Sequence, residues 1–155
     1  MRAKIAVPLV LIMSALLAGL IGMRAATGQT VLHLVSPSNS LKARFVDHDG
    51  DGLRQADRIA AHGPLTDTGG TRMGTAYADC VVSRHIRNEV TGLWNCTYVI
   101  DLDDGDLVLR GLDPRGPGVY ELAVLGGTGA YANASGDATF TDADEATDMM
   151  IRLSN

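Results

Sequence analysis

The sequence predicts an all-β domain, closed as an eight-stranded antiparallel up-and-down barrel and preceded by a signal peptide or an anchor helix. Three observations predict it. After Lys42, strand-type segments recur roughly every ten residues, Gly/Asp turn clusters separate them, and no window sustains apolar residues at helical spacing between caps. The segments are Lys42 to Asp47, Asp57 to Leu65, Arg72 to Arg84, Gly92 to Leu102, Asp106 to Leu112, Gly118 to Leu125, Ser135 to Thr141 and Ala146 to Leu153. Eight consecutive antiparallel strands most simply close on themselves, because closure removes the edges that an open sheet has to protect. A barrel of that size can also hold one small ligand. A two-sheet sandwich of seven or eight strands is the alternative that the same pattern allows.

Taken in chain order, residues 1–28 come first: Arg2 and Lys4 precede an uncharged apolar run from Ile5 to Gly22, and Ala26-Thr27-Gly28 offers small residues for cleavage. This is the pattern of a secretory signal peptide, with an uncleaved membrane anchor as the alternative. Export places the remaining chain outside the cell, either free or tethered. Loss of this segment removes Arg2, Lys4 and Arg24 but no acid, so the formal charge of −5 deepens to −8. So acidic a domain is a poor partner for nucleic acid, and only the N-terminal segment suits a membrane. Arginine outnumbers lysine 11 to 2, and Ala, Gly and Asp abound, a composition typical of high-GC bacterial coding.

Residues 29–41, QTVLHLVSPSNSL, read as a linker, either a tether or a loosely packed lead-in strand, and the barrel domain is expected to span 42–155. The stretch FVDHDGDG follows. Asp47, Asp49, Asp51 and Gly52 match the opening positions of a calcium-binding EF-hand loop, but its twelfth position, which should bring a bidentate carboxylate, is Arg58. A turn is the better reading, with Phe45 inward and Gly50 and Gly52 permitting the reversal. A looser calcium site of Asp47, Asp49, Asp51 and Asp57 is the minority alternative.

Further along, Asp104-Gly105 sits between two apolar runs as a hairpin signal. As a two-residue loop it sets Leu102 opposite Leu107 and Ile100 opposite Leu109, and gathers Trp94, Cys96, Tyr98, Ile100, Leu102, Leu107 and Leu109 on one buried face. Pairing Cys80 with Cys96 in the preceding hairpin sets Val82 opposite Trp94 and Ala78 opposite Tyr98, all on that same face. An exported chain permits the disulfide, and closing a loop of that length contributes about 3 kcal/mol in the chain-entropy model. The opposite face carries Thr75, Tyr77, Asp79, Asn95, Thr97, Asp101 and Arg110.

The segment ELAVLGGTGAYANASGDATF, Glu121 to Phe140, resembles the signature of the allene oxide cyclase and dirigent-like barrels. The matching features are an apolar strand, the turn motif Gly126-Gly127-Thr128-Gly129, an aromatic at Tyr131, and Ala134-x-Gly136. Upstream, Leu65, Asp67, Gly70, Gly74 and Cys80, then Cys96, Leu102, Gly105, Gly111 and Leu112, resemble the two preceding units. The resemblance implies an eight-stranded barrel whose apolar pocket shapes a small guest, with an isomerase-like cyclisation, no cofactor and a homotrimeric assembly. Plant dirigents commonly carry Arg where this chain has Ser135, which argues against radical coupling. The candidate pocket residues are Trp94, Tyr98, Tyr131 and Ser135. Glu121, Asp101, Arg110 and Tyr98 are the candidate catalytic groups, with Asp79 a further polar one, although alternation favours a solvated outer face for the charged members.

Other chemistries find little support. His33, His48, His62 and His85 show no metal-ligand spacing, no serine sits in a G-x-S-x-G elbow, and GGTG is followed by neither a helix nor a lysine that would complete a phosphate site. A non-catalytic extracellular binding or interaction barrel is the competing functional class.

Overall fold

The computed structural model describes residues 29–48, 50, 54–85, 92–114 and 116–154, with the backbone alone at 84 and 85. Nine strands form one antiparallel sheet: β1 Thr30–Pro37, β2 Lys42–Val46, β3 Arg58–Thr66, β4 Arg72–His85, β5 Gly92–Leu102, β6 Gly105–Asp113, β7 Gly118–Gly127, β8 Ser135–Asp142 and β9 Ala146–Ser154. Strands β3 to β9 pair in sequence order, β1 pairs with β9 along its length, and β1 meets β3 at Val35↔Thr66. The result is a closed eight-stranded barrel with one extra strand. The expected signal or anchor segment, residues 1–28, lies outside the described residues. Among those described, no helix is long and apolar enough to cross a membrane.

The extra strand is not the one the sequence suggested. Residues 30–37, read as linker, form a barrel stave whose Leu34 and Ser36 are buried, while β2, read as the first stave, is exposed at every position. The exchange happens at Pro37, which has no N–H to donate to a ladder. A 3-10 turn, Ser38–Ser40, then steps the chain out of the wall, and β2 hangs from the Arg58–His62 half of β3. Phe45, expected inward, is 55% exposed as a consequence.

The loop from β2 to β3 is organised by Asp57, which is buried. Its two carboxylate oxygens accept the backbone N–H groups of His48 (3.1 Å) and Arg54 (2.6 Å), while its carbonyl accepts the Val82 N–H of β4 at 2.9 Å and the neighbouring Ala56 N–H donates back to the Val82 carbonyl at 2.9 Å. Asp47 accepts the Gly50 N–H at 2.7 Å. These two aspartates of the calcium alternative therefore serve as loop anchors; Asp49 and Asp51, with Gly52, lie outside the described residues.

The predicted β4–β5 register is present, with Cys80 opposite and disulfide-bonded to Cys96, Val82 opposite Trp94, and Ala78 opposite Tyr98. The next hairpin differs. Its turn is Asp103-Asp104, so Leu102 faces Gly105 and Ile100 faces Leu107, rather than Leu107 and Leu109. Because the slip is by two residues, no side chain changes face, and Trp94, Cys96, Tyr98, Ile100, Leu102, Leu107 and Leu109 are all buried. The glycine is needed inside the strand instead of in the turn. A Cβ on Gly105, at φ +136°, would lie 2.3 Å from the Thr128 carbonyl oxygen, and one on Gly129 would lie 2.2 Å from that of Asp104.

Candidate functional site

Side-chain size along the inward positions determines where the barrel is full and where it is hollow. Toward the Asp103-Asp104 end, the interior receives Leu65, Ile100, Leu107 and Ile151, each completely buried. Burial of side chains this large contributes about 1.5–3 kcal/mol apiece. From mid-barrel toward the other end, β3 and β4 present Ala76, Ala78 and Ala61 instead, and a cavity of about 280 Å³ opens there. Its walls run from the exposed rim residues Leu41, Pro117 and Asp144 down to Ile59, Met149 and Phe140, which are buried.

The polar centre of this cavity joins three strands. Alternation from Leu107 and Leu109 on β6 carries the inward face to Asp113, 3% exposed, and β5 and β7 contribute Tyr98 and Tyr120. The Tyr98 hydroxyl donates to Asp113 Oδ2 at 2.9 Å, and the hydroxyls of Tyr98 and Tyr120 are 3.4 Å apart. Both tyrosine rings pack on Phe140, with centroids at 5.2 and 5.6 Å and steep interplanar angles, as aromatic quadrupoles prefer. Burial, followed by the neighbouring Tyr120 and the charge of Asp113, holds the Tyr98 phenol far above its ordinary pKa. The phenol is thereby held in its proton-donating form beyond its ordinary titration range. The Cys80–Cys96 bridge lies alongside: Cys80 borders the cavity, and the Cys96 sulfur is 3.9 Å from Asp113 Oδ2 with no proton to give.

Around the mouth, Ser36 comes from the end of β1, Ser38 from the 3-10 turn that follows, Asp142 from the end of β8, Asp144 from the β8–β9 turn and Thr147 from the start of β9. Thr147 donates to Asp142 at 2.6 Å, and the Ser38 N–H donates to the Glu145 carbonyl at 2.9 Å, tying the two sides together. Such a site offers hydroxyl donors, carboxylate acceptors and apolar walls. It contains no thiol nucleophile, and no group of three metal-ligating side chains occurs among the described residues.

Of the pocket and catalytic candidates selected from sequence, Tyr98 alone borders this cavity. Trp94 is buried opposite Asp113 on the β5–β6 ladder but does not line the cavity. Asp101, Arg110 and Glu121 point outward and are exposed, as period-2 alternation dictates, and Asp79 forms an ion pair with Arg58 on the outer surface. Ser135 is exposed and donates to the Ser154 carbonyl at 3.3 Å. Tyr131 is half-buried on the 3-10 turn Gly129–Tyr131 at the full end of the barrel, where burial and then Asp104 raise its pKa.

The Gly126-Gly127-Thr128-Gly129 motif is also structural. Thr128 donates its N–H to the Asp106 carbonyl at 2.9 Å and its hydroxyl to the Asp106 carboxylate at 3.1 Å, and Ala130 N–H reaches the Asp104 carbonyl at 2.8 Å. Sequence reasoning missed Asp113, Tyr120 and Phe140. Asp113 stood in the turn-like run DPRGPG, and only the parity of β6 carried forward would have turned it inward.

No family model and no curated protein matches the chain. Solved structures do. A pyocyanin demethylase superposes with a TM-score of 0.68 at 22% identity over 81% of this chain and 100% of its own. The pterocarpan synthase dirigent protein gives 0.61 at 19% identity, covering 81% and 83%. The Diels–Alderase AbmU from Streptomyces koyangensis gives 0.63 at 13% identity over 82% of this chain, which spans 64% of that protein. By fold, the chain is a β-barrel similar to the dirigent and Diels–Alderase barrels.

Proposed function

We propose that the protein is an exported bacterial barrel of the allene oxide cyclase and dirigent-like type, which takes a small apolar molecule into its mouth cavity and guides its cyclisation. The observation that carries this reading is the hollow end itself: apolar walls of Ala61, Ala76, Ala78, Ile59 and Met149 converge on the Tyr98–Asp113–Tyr120 cluster. Catalysis in such a site works by confinement. Walls on all sides hold a flexible guest in a folded conformer near its attack geometry, and a fixed hydroxyl supports charge that develops on a guest oxygen. Tyr120, whose hydroxyl neighbours that of Tyr98, supplies the hydroxyl, and Asp113 holds Tyr98 in place. The Diels–Alderase and dirigent activities named for the structural neighbours fit such a pocket.

The test is to incubate the protein with an extract of its producer and identify retained molecules by mass spectrometry, with Ala78→Leu as the filled-cavity control. A single compound retained by the wild type and lost by the variant is the expected outcome. A changed chromatographic retention at unchanged mass marks isomerisation, whereas recovery unchanged favours a carrier. An empty wild-type barrel, folded by circular dichroism, would overturn the reading.

A further inference from the structure

The cavity reaches one reactive bond that the proposed cyclisation does not use. Cys80 and Cys96 face each other across the β4–β5 ladder and are joined by a disulfide, and Cys80 lines the cavity while Cys96 does not. We propose that this bridge is a thiol-exchange site served through the cavity: a small thiol entering the mouth attacks the Cys80 sulfur, and a guest seated beside that sulfur shields it. The shielding rests on reading the cavity as a binding site; the access of a small thiol does not.

Topology makes the barrel interior the route to the bridge. Strand β4 is laddered to β3 on one side and to β5 on the other, and the alternation that sends Ala76, Ala78, Cys80 and Val82 inward sends Tyr77, Asp79 and Val81 outward. Seen from outside, both sulfur atoms therefore lie behind the wall. Cys96 is completely buried and Cys80 is 4% exposed. Beside Cys80 the cavity is lined by Ile59, directly opposite on β3, and by Ala78, the next inward residue of β4. An alanine at that place leaves room next to the sulfur that a larger side chain would take.

The chemistry sets the order of events. A thiolate attacks along the S–S bond, forms a mixed disulfide on Cys80 and expels Cys96, which takes up the proton that the thiol has lost. A second thiol then displaces the first from Cys80, so two thiols are oxidised to their disulfide as the bridge is reduced to two cysteines. Attack at Cys96 is blocked by its burial, and its departure into a site without water to solvate the charge is slow. Exchange is therefore slow, selective for Cys80 and confined to thiols that fit a space of about 280 Å³. Redox state and occupancy are coupled as a result: the guest protects the bridge, and by linkage the bridge favours the guest.

The experiment follows opening of the bridge in the native protein at about pH 8 by 2-mercaptoethanol and by a thiol-bearing dextran, each referred to its own rate on oxidised glutathione. Acid quenching and peptide mass spectrometry locate the adduct. 2-Mercaptoethanol should open the bridge at a rate unchanged by low urea and leave its adduct on Cys80, with the dextran at least about tenfold slower relative to its reference. Ala78→Leu, shown folded by circular dichroism, should slow 2-mercaptoethanol by about tenfold, and the compound retained from the producer's extract should slow it likewise. Opening that accelerates with urea along the unfolding curve, an adduct mainly on Cys96, or a variant as fast as the wild type would overturn the exchange site. Exchange that behaves as expected but ignores the retained compound overturns the shielding alone. If the extract leaves the barrel empty while exchange proceeds through the cavity, the proposed function and the shielding fail together and the thiol site stands.

Discussion

At the end closed by the Asp103-Asp104 turn, glycine lets one backbone press directly on another. At the end ringed by Ser36, Asp113 and Asp142, alanine leaves space unfilled. The first end resembles the interior of any small barrel, with leucine and isoleucine inside and a backbone plug made by Gly105, Thr128 and Gly129. The second keeps a carboxylate and two phenols out of water, which a protein selected for stability alone would replace with apolar side chains. The difference assigns the GGTG motif, the most conspicuous signature in the sequence, to folding. The proposed function belongs to the end with no conspicuous signature.

The largest expected effect breaks the closed end. Gly105→Ala would set a Cβ against the Thr128 carbonyl oxygen at a positive φ that Ala rarely adopts. Clash and backbone strain together should destabilise by about 4 kcal/mol. Denaturant unfolding measures this, and a loss below about 1 kcal/mol would show that the hairpin and the GGTG turn are not packed as described.

Next comes the bridge between the two regions. Replacing both Cys80 and Cys96 with Ala should lower stability by about 3 kcal/mol, chiefly by freeing the unfolded chain. The bridge is spaced 16 residues apart and also borders the cavity. A ligand retained by the wild type should therefore be bound more weakly by the double variant, even at temperatures where it remains folded.

How much of this was legible in the sequence follows the same division. Strands β3 to β9 fall within about two residues of their predicted ends, because alternation with one buried face is a strong signal. The first stave was only half legible: the sequence left residues 29–41 between a tether and a loosely packed lead-in strand, because β1 presents a polar Ser36 inward and ends in Ser-Pro. The Asp104-Gly105 hairpin signal misled for a related reason, since Gly105 serves a close backbone approach within β6. In the site, Tyr98 was visible by parity. Asp113 was hidden by the prolines and glycines that follow it, and Tyr120 by the absence of any motif around it.

At the open end, Tyr98→Phe removes the donor to Asp113 and should destabilise by about 1.5–3 kcal/mol, as expected for a hydrogen bond to a buried carboxylate. Its pH dependence sharpens the test. Burial raises the folded pKa of Tyr98 above the ordinary 10.0, so its contribution is complete below that value and is lost as pH rises above it. With the native phenol still protonated, the wild type should lose about 1.4 kcal/mol more stability than the variant between about pH 9 and pH 11, the slope steepening toward that amount per pH unit above pH 10. Tyr131, also raised, is common to both proteins, so the difference reports Tyr98. Parallel unfolding profiles between about pH 9 and pH 11 would place Tyr98 in a wetter site than the cavity floor.

The smallest expected effect makes the contrast between the two faces of one strand. Glu121 and Tyr120 are chain neighbours on β7, yet alternation sends Tyr120 into the cavity and leaves Glu121 exposed on the outside. Glu121→Gln should change stability by less than about 0.5 kcal/mol and leave affinity for the compound retained from the producer's extract within about twofold. A tenfold loss of that affinity would mean that an outer-face carboxylate governs the guest, and the assignment of function to the hollow end would fail with it.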